Sequence, residues 1–459
     1  MPRLSLDRRD FLRGATALAA ASFVGAAVSF DAFGDDGALA NDVVDPDKEI
    51  GKPYQGWREG ELDLHFIHTG VGENCFHIYP DGTTMLLDCG DRAWNRFASV
   101  SWNPLKSQDA ACLPKPDASR RPGEWVARYI KRLRPDMEKI DYVMASHFHS
   151  DHTGQAGKDA GLGMKGLDKE RDYNISGISQ VGEYFRFGTA FDRGYPNYDQ
   201  PTTWAPGERE NLVKFWEYAE ENAGLKREEF QVGALDQIKL VNAPEKYDFH
   251  IRNISRNGVV WGGEKGENID FFNLYPKNKE TSKDENSRSL AIVAQYGAFR
   301  FYTGGDVSGV ISDESGKDVD IEGAVGRAVG AVDVCKTNHH SSGNAMHPSF
   351  VKEVKARVYV TCCWWMGHTN MKTAATMSNA EYYPGPRLLC PTDPHPLNAE
   401  KIKEQPWRDN LVERVGHVVV KVIDGGARYK VYYLTAEDES MKVDLVFGPF
   451  ESKGNLPQA

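Results

Sequence analysis

The stretch Ser146-His147-Phe148-His149-Ser150-Asp151-His152-Thr153-Gly154 holds three of the chain's 13 histidines and an aspartate. Imidazole nitrogens and carboxylate oxygens are the usual ligands of zinc and similar divalent ions. His147 and His149 are two residues apart, which puts both rings on one side of an extended segment and lets them chelate one ion. Asp151 and His152 follow where the chain turns into a helix, and can face a second ion. Two later segments carry matching donors. Asp306 follows Thr303-Gly304-Gly305, and its carboxylate can bridge two ions. His339 and His340, in Asn338-His339-His340-Ser341-Ser342-Gly343, can complete a coordination shell. A polar surface loop is the alternative for any isolated histidine cluster. Here the spacing, an upstream strand and the downstream partners agree, and such context is what gives a motif meaning.

These donors need elements to hold them. Tyr142–Ala145 is a short apolar run leading into the histidine cluster. Ser289–Tyr296 and Phe299–Tyr302 read as a hairpin turned at Gly297-Ala298, and its second strand ends at Asp306. Ala331–Lys336 runs into the double histidine. Three times, then, a strand ends in metal-compatible residues. If the three strands are neighbours in one sheet, their ends converge, and strand ends are where α/β folds place chemistry. Around them, Leu62–His68, Val71–Tyr79 and Thr83–Asp88 read as strands, the last two joined by the turn Pro80-Asp81-Gly82. Glu124–Leu133 puts Trp125, Val126, Tyr129, Ile130 and Leu133 on one helical face, and Pro135 stops it. Val418–Ile423 and Tyr429–Leu434 form a late hairpin. Residues 155–284 are rich in glycine, proline and aromatics. One helix stands out there, with Leu212, Phe215, Trp216 and Ala219 on a face and Gly224 at its end. The segment reads as a large insertion or lid beside the site.

Of the 459 residues 40% are hydrophobic, and the net charge is −11, the profile of a globular protein with ample core-forming material. The acidic balance argues against a protein that coats nucleic acid or an anionic membrane. The seven cysteines are odd in number and irregularly spaced, so a disulfide framework is not expected. Cys362-Cys363 read as buried strand residues. At the start, Arg8-Arg9-Asp10-Phe11-Leu12 precedes an Ala-rich apolar run from Gly14 to Phe30. This resembles a bacterial twin-arginine signal peptide, with Ala38-Leu39-Ala40 as its cleavage site and Asp7 where Ser or Thr is usual. That route exports proteins already folded, often around a cofactor, to the periplasm or beyond.

The arrangement His147-x-His149-x-Asp151-His152 resembles the signature of the metallo-β-lactamase superfamily. Asp88, in Leu86-Leu87-Asp88-Cys89-Gly90, matches its first motif, an acidic residue that orients the site, and Asp306 matches its bridging aspartate. Val71-Gly72-Glu73-Asn74, Asn286-Ser287-Arg288-Ser289-Leu290, His339-His340-Ser341-Ser342 and Pro394-His395-Pro396 are closer to the ComEC-like branch, named for the hydrolase domain of a DNA-uptake competence protein. The chain departs from that branch in having His149 where an aspartate is usual, and Ser after the double histidine. The likeness implies an α/β fold, an αββα sandwich of two mixed sheets with helices outside, over 61–440, with the insertion at 155–284. A signal peptide at 1–40, a linker at 41–60 and a tail at 441–459 complete the expected organisation. It implies two divalent metal ions, zinc first with manganese or iron as alternatives, held by His147, His149, Asp151, His152, Asp306, His339, His340 and His395. Asp88, Asp151 and Asp306 are the expected catalytic carboxylates. His368 competes with His395 as the late ligand, and His250 is a lesser candidate for the superfamily's middle histidine. The expected activity is hydrolysis by a hydroxide held between the metals, on a phosphodiester or similar small substrate. A lactonase or β-lactamase-like ester or amide hydrolase and an iron-dependent oxidoreductase are the alternatives. The expected partners are a small-molecule substrate and, during export, the twin-arginine translocase, with no stable membrane or nucleic-acid partner.

Overall fold

In the computed structural model, residues 48–92, 105–156, 171–199, 205–264, 266–274, 284–312 and 318–455 are described, all within the unit Asp45–Ala459. The expected signal peptide, and the linker up to residue 47, lie outside the described residues.

The chain first lays down β1 (Leu62–Phe66), β2 (Asn74–Ile78), β3 (Thr84–Cys89), β4 (Lys139–Ala145), β5 (Arg186–Asp192) and β6 (Lys226–Arg227). It then builds β7 (Phe249–Arg256), β8 (Val259–Val260), β9 (Ile269–Asp270), β10 (Ala291–Tyr296) and β11 (Phe299–Thr303). A small hairpin, β12 (Val310–Ser312) and β13 (Asp318–Asp320), precedes β14 (Val334–Lys336), β15 (Val358–Thr361) and β16 (Leu388–Pro391). The chain ends with β17 (His417–Ile423), β18 (Arg428–Leu434) and β19 (Val443–Glu451). Two mixed sheets result, ordered β19-β18-β17-β1-β2-β3-β4-β5-β6 and β16-β15-β14-β11-β10-β7-β8-β9. In the first, β3, β4, β5 and β6 run parallel and the rest are antiparallel; in the second, β11, β14, β15 and β16 run parallel.

Alternation along the strands decides what each sheet face covers. Leu62, Leu64, Phe66, Met85, Leu87, Val418 and Val420 from the first sheet pack with Ile292, Ala294, Phe301, Val334 and Val358 from the second, forming the core between the sheets. The alternate residues Phe76, Ile78, Leu86, Val143 and Val419 face α1 (Pro122–Leu133). Val293, Tyr302 and Tyr359 face helices on the other side, including α2 (Ile321–Val329) and α3 (Pro348–Val354). The strand β17 reads HVVVKVI, a nearly continuous β-branched run suited to a strand covered on both faces. Each such side chain contributes roughly 1.5–3 kcal/mol on burial. Pro122 opens α1 and Lys131 and Arg132 lie in its last turn, favourable against the helix dipole. Gly224, at φ 73°, closes the helix Pro206–Ala223 in the left-handed conformation that glycine adopts without strain.

Three parts differ from expectation. Segment 155–284 is woven into both sheets: β5 pairs with β4, and β7 pairs with β10. Its aromatic and glycine-rich loops hide short strands whose pattern is visible only once their partners are present. The stretch expected as a tail forms edge strand β19, and part of the expected linker is pinned to it, Gly51 N donating to Val443 O at 2.8 Å. Finally, β4 belongs to the first sheet while β11 and β14 are neighbours in the second, so the donor-bearing strand ends meet from opposite sheets. All seven cysteines are free and buried. No helix among the described residues is long and apolar enough to cross a membrane.

Two histidines remote from the donor cluster set an acid limit. His77 is fully buried among the rings of Phe66, Tyr79 and Phe301, and burial pushes its pKa down to about 3. Burial, then the nearby His68, does the same to His417. An unfolded histidine titrates near 6.5, so between those values the unfolded chain binds more protons. Stability present above about pH 6.5 should therefore fall as pH drops towards 3, by up to about 1.4 kcal/mol per unit for each residue. Denaturant unfolding at stepped pH checks this, and His77→Leu should flatten the slope.

Candidate metal centre

Asp88, near the end of β3 at φ 55°, anchors the histidine loop. Its Oδ1 accepts from the Ser146 amide at 2.7 Å, and its Oδ2 accepts from Ser146 Oγ at 2.6 Å and lies 2.8 Å from His152 Nδ1. The turn Ser150–Thr153 docks directly on neighbouring backbone. Glu73 N donates to Asp151 O at 2.8 Å and Asp91 N to Ser150 O at 2.8 Å. A Cβ on Gly90 would lie 2.0 Å from Asp151 O, so glycine is required there.

The double-histidine loop is held from behind. His339, His340 and Ser341 all have positive φ, at 43°, 49° and 57°. Left-handed conformations cost non-glycine residues roughly 1–3 kcal/mol each and persist only where the surroundings impose them. Buried Glu322 accepts from Asn338 Nδ2 at 2.8 Å, Met346 N at 2.7 Å and His347 N at 2.8 Å. Burial pushes its carboxyl up to about 8, against those three donors.

The donors converge on Asp306. His152 Nε2 lies 3.1 Å from Asp306 Oδ2, His340 Nε2 3.5 Å from Oδ1, and His147 Nε2 3.8 Å from Oδ2. The atoms fall into two groupings, Glu73, His152, Asp306 and His340, and His147, His149 and Asp306, each with one ligand atom per residue within 4.8 Å of the others. Asp306 belongs to both. Asp151 Oδ2 is 3.5 Å from His340 Nε2.

These residues fit a cation. His152 Nδ1 faces Asp88 and His340 Nδ1 faces the Cys362 carbonyl at 2.9 Å, which places the imidazole proton on Nδ1 in each ring. The two Nε2 atoms then face one another across 3.2 Å. Two facing imidazole nitrogens need positive charge between them, a proton or a metal ion, and a second acceptor on Nδ1 is the usual partner of a metal-binding histidine. The charges agree. Burial opposes ionisation of Asp306, but His152, His340 and His339 outweigh it and hold the carboxyl well below the usual range. Burial would lower His152, yet Asp306 and Asp88 hold it well above its ordinary value, so without an ion the positive charge is a proton on this ring, which a bound cation would displace. Burial and His152 push His147 well down, keeping it neutral and able to donate a lone pair.

Of the expected ligands, the structure brings together His147, His149, Asp151, His152, Asp306 and His340. His339 is at the rim, its Nε2 3.8 Å from Asp306 Oδ2 and 3.2 Å from Asn286 Nδ2. His395 joins neither grouping: its Nε2 faces Ala111 O at 3.3 Å, and its Nδ1 accepts from Leu397 N at 3.3 Å. A Pro-His-Pro tripeptide does not say where its loop is carried, and this loop caps a short helical turn. His368 comes closer, stacked on His340 with centroids 4.8 Å apart, but its Nε2 accepts from Trp365 Nε1 at 2.7 Å. His250 lies on β7 opposite Gln295, in neither grouping.

Sequence reasoning gave Glu73 and Lys336 no role. Glu73 forms a fully buried ion pair with Lys336, whose Nζ also donates to Gly305 O at 2.7 Å. Glu73 lies in Val71-Gly72-Glu73-Asn74 and Lys336 ends β14, 263 positions later, so no local pattern pairs them. The site opens into a cleft of about 490 Å³ lined by Arg92, Glu208, Asn286, Ser342, Trp364 and Trp365 beside the donors. Arg92 sits over the Trp364 ring, 5.3 Å from its centroid.

No protein-family model matches the chain, and comparison with curated proteins finds no match. The geometry therefore carries the functional reading.

Two substitutions test the scaffold. Asp88→Asn keeps a residue that tolerates positive φ but turns one acceptor into a donor facing Ser146 or His152. It should weaken metal binding about 10–100-fold, measured against a competing chelator. Gly90→Ala should displace the Asp151 turn and lower both metal content and melting temperature; a protein with unchanged metal content would contradict the docking described.

Proposed function

We propose that the protein is a binuclear metal-dependent hydrolase of the metallo-β-lactamase type, ComEC-like in its motifs, acting on a small phosphodiester after export by the twin-arginine route. The observation that carries this reading is the position of Asp306, shared by two groupings of imidazoles and carboxylates. His147 and His149 with Asp306 would hold one ion, and His152 and His340 with Asp306 and Asp151 the other. Zinc suits the histidine-rich donor set, with manganese or iron as the alternatives. Bound there, a pair of divalent cations supplies Lewis acidity and a water acidic enough to attack at neutral pH.

The chain's own residues do the rest. Asp88 and the Cys362 carbonyl fix the tautomers of His152 and His340. Burial of the donors keeps competing water from the ligand atoms. Arg92 and Asn286 line the cleft where the non-bridging oxygens of a phosphodiester would lie. Arg92 favours an anionic substrate over a neutral lactone or lactam. The cleft volume and the net charge of −11 favour a small substrate over a polynucleotide track.

The test is an assay of purified, metal-analysed protein against bis-aryl phosphates, lactones and cephalosporins. Bis-aryl phosphate should turn over, and His147→Ala and Asp306→Ala should each lose metal and at least about 100-fold in kcat/KM, beyond what removing an outer partner costs. Wild-type turnover by either variant would defeat the assignment. Iron with oxygen uptake in place of hydrolysis would favour an oxidoreductase.

A further inference from the structure

Phe148 stands between two of the donors, His147 and His149, and its surroundings are unlike those of an ordinary core phenylalanine. Its amide N–H donates to Glu285 Oε1 at 3.0 Å. The same carboxylate is gripped by Arg193, Nε donating to Oε1 at 2.6 Å and Nη2 to Oε2 at 2.7 Å. The Arg193 guanidinium also lies over the Phe148 ring, 4.5 Å from its centroid. Arg193, Glu285 and Phe148 are all buried, at 1%, 1% and 0% exposure. Asn257 fixes Arg193 from the far side, accepting from Nη1 at 3.2 Å and donating to the Arg193 carbonyl at 2.8 Å.

A buried ion pair is poor value as a source of stability, because desolvating two charges costs about as much as their attraction returns. Its geometry suggests a different use. One residue of the bend that follows β4 is held by its backbone and by its ring at once. The rings on either side of Phe148 meet, His147 Nε2 lying 3.0 Å from His149 Nδ1, so immobilising Phe148 restrains His147 and His149 together. The clamp also joins separate parts of the fold. Arg193 follows β5 in the first sheet, and Glu285 precedes β10 in the second. From the same segment Asn286 reaches His339 at 3.2 Å. Ser289 Oγ accepts from Asp306 N at 3.1 Å and lies 3.3 Å from His147 Nδ1.

We infer that the Arg193–Glu285 pair is a positioning clamp for the His147/His149 half of the metal centre, setting its affinity independently of the His152/His340 half. The inference rests on the metal-centre reading above and goes beyond it in giving the two halves separate supports.

Stepwise calorimetric titration of zinc into chelator-stripped protein tests it. His147→Ala and His340→Ala serve as references that assign each binding step. Glu285→Ala should weaken the His147 step about 10–100-fold, the range for loss of an outer partner, and leave the His340 step within about 3-fold. Glu285→Gln, which keeps an acceptor for Phe148 N–H, should recover most of the loss. Arg193→Lys, which keeps the charge but not the fork, should fall between. If Glu285→Ala does not fold, Arg193→Lys and Phe148→Leu make the comparison, each expected to weaken only the His147 step. Equal weakening of both steps, or no change in either, would overturn the clamp while leaving the metal centre standing. Failure of the wild type to bind zinc would overturn both. Zinc binding without phosphodiester hydrolysis would remove the proposed substrate and leave the clamp intact.

Discussion

Everything at the centre depends on imidazoles that cannot turn away from one another. His152 and His340 come from different sheets, yet their Nε2 atoms are 3.2 Å apart, and each ring is tied through Nδ1 to a fixed acceptor. Rotation of either ring would abandon a buried hydrogen bond, at a cost of about 1–3 kcal/mol. The pair therefore calls for positive charge between the rings, a proton on His152 or a cation in its place, and Asp306 supplies the negative partner that makes such charge favourable. This is electrostatic preorganisation, assembled by folding before any ion binds.

The sandwich exists to make that convergence rigid. The core between the sheets draws on both, so β3, β4, β11 and β14 cannot slide relative to one another without opening apolar contacts. Their ends then carry features that a stable fold would otherwise avoid: positive φ at Asp88, His339, His340 and Ser341, a buried Glu322, and the Glu73–Lys336 pair. Each is unfavourable alone and is held by its neighbours. Their concentration around Asp306 is what a functional site looks like when strain is supported from outside.

The second rank of polar residues divides by ligand loop. Asp88 serves His152, Ser146 reaches both His147 and His152, Glu322 and Asn338 hold the double-histidine turn, and Glu285 with Arg193 holds Phe148. These residues come from stretches far apart in the chain, including 155–284. That segment thus contributes to the frame of the centre as well as to the sheets beside it. The cleft above it, with Arg92 on Trp364 and Glu208 nearby, carries polar and aromatic surface together.

The spacing His147-x-His149-x-Asp151-His152, with Asp306 and the double histidine each at a strand end, was legible from sequence because donor chemistry and strand alternation are local properties. The hairpins β2–β3, β10–β11 and β17–β18 were legible for the same reason, as alternation broken by turn residues. Glu73, Lys336, Glu285 and Arg193 were not, since a buried ion pair between residues 92 or 263 positions apart leaves no local pattern. The choice between His395 and His368 was equally closed, because it turns on which loop the parallel strands β14, β15 and β16 carry towards the site. Sequence by itself determined which atoms could bind a cation and roughly which strands would present them. Only tertiary structure decided that two sheets, rather than one, bring those atoms together, because that meeting is set by the packing of side chains between them.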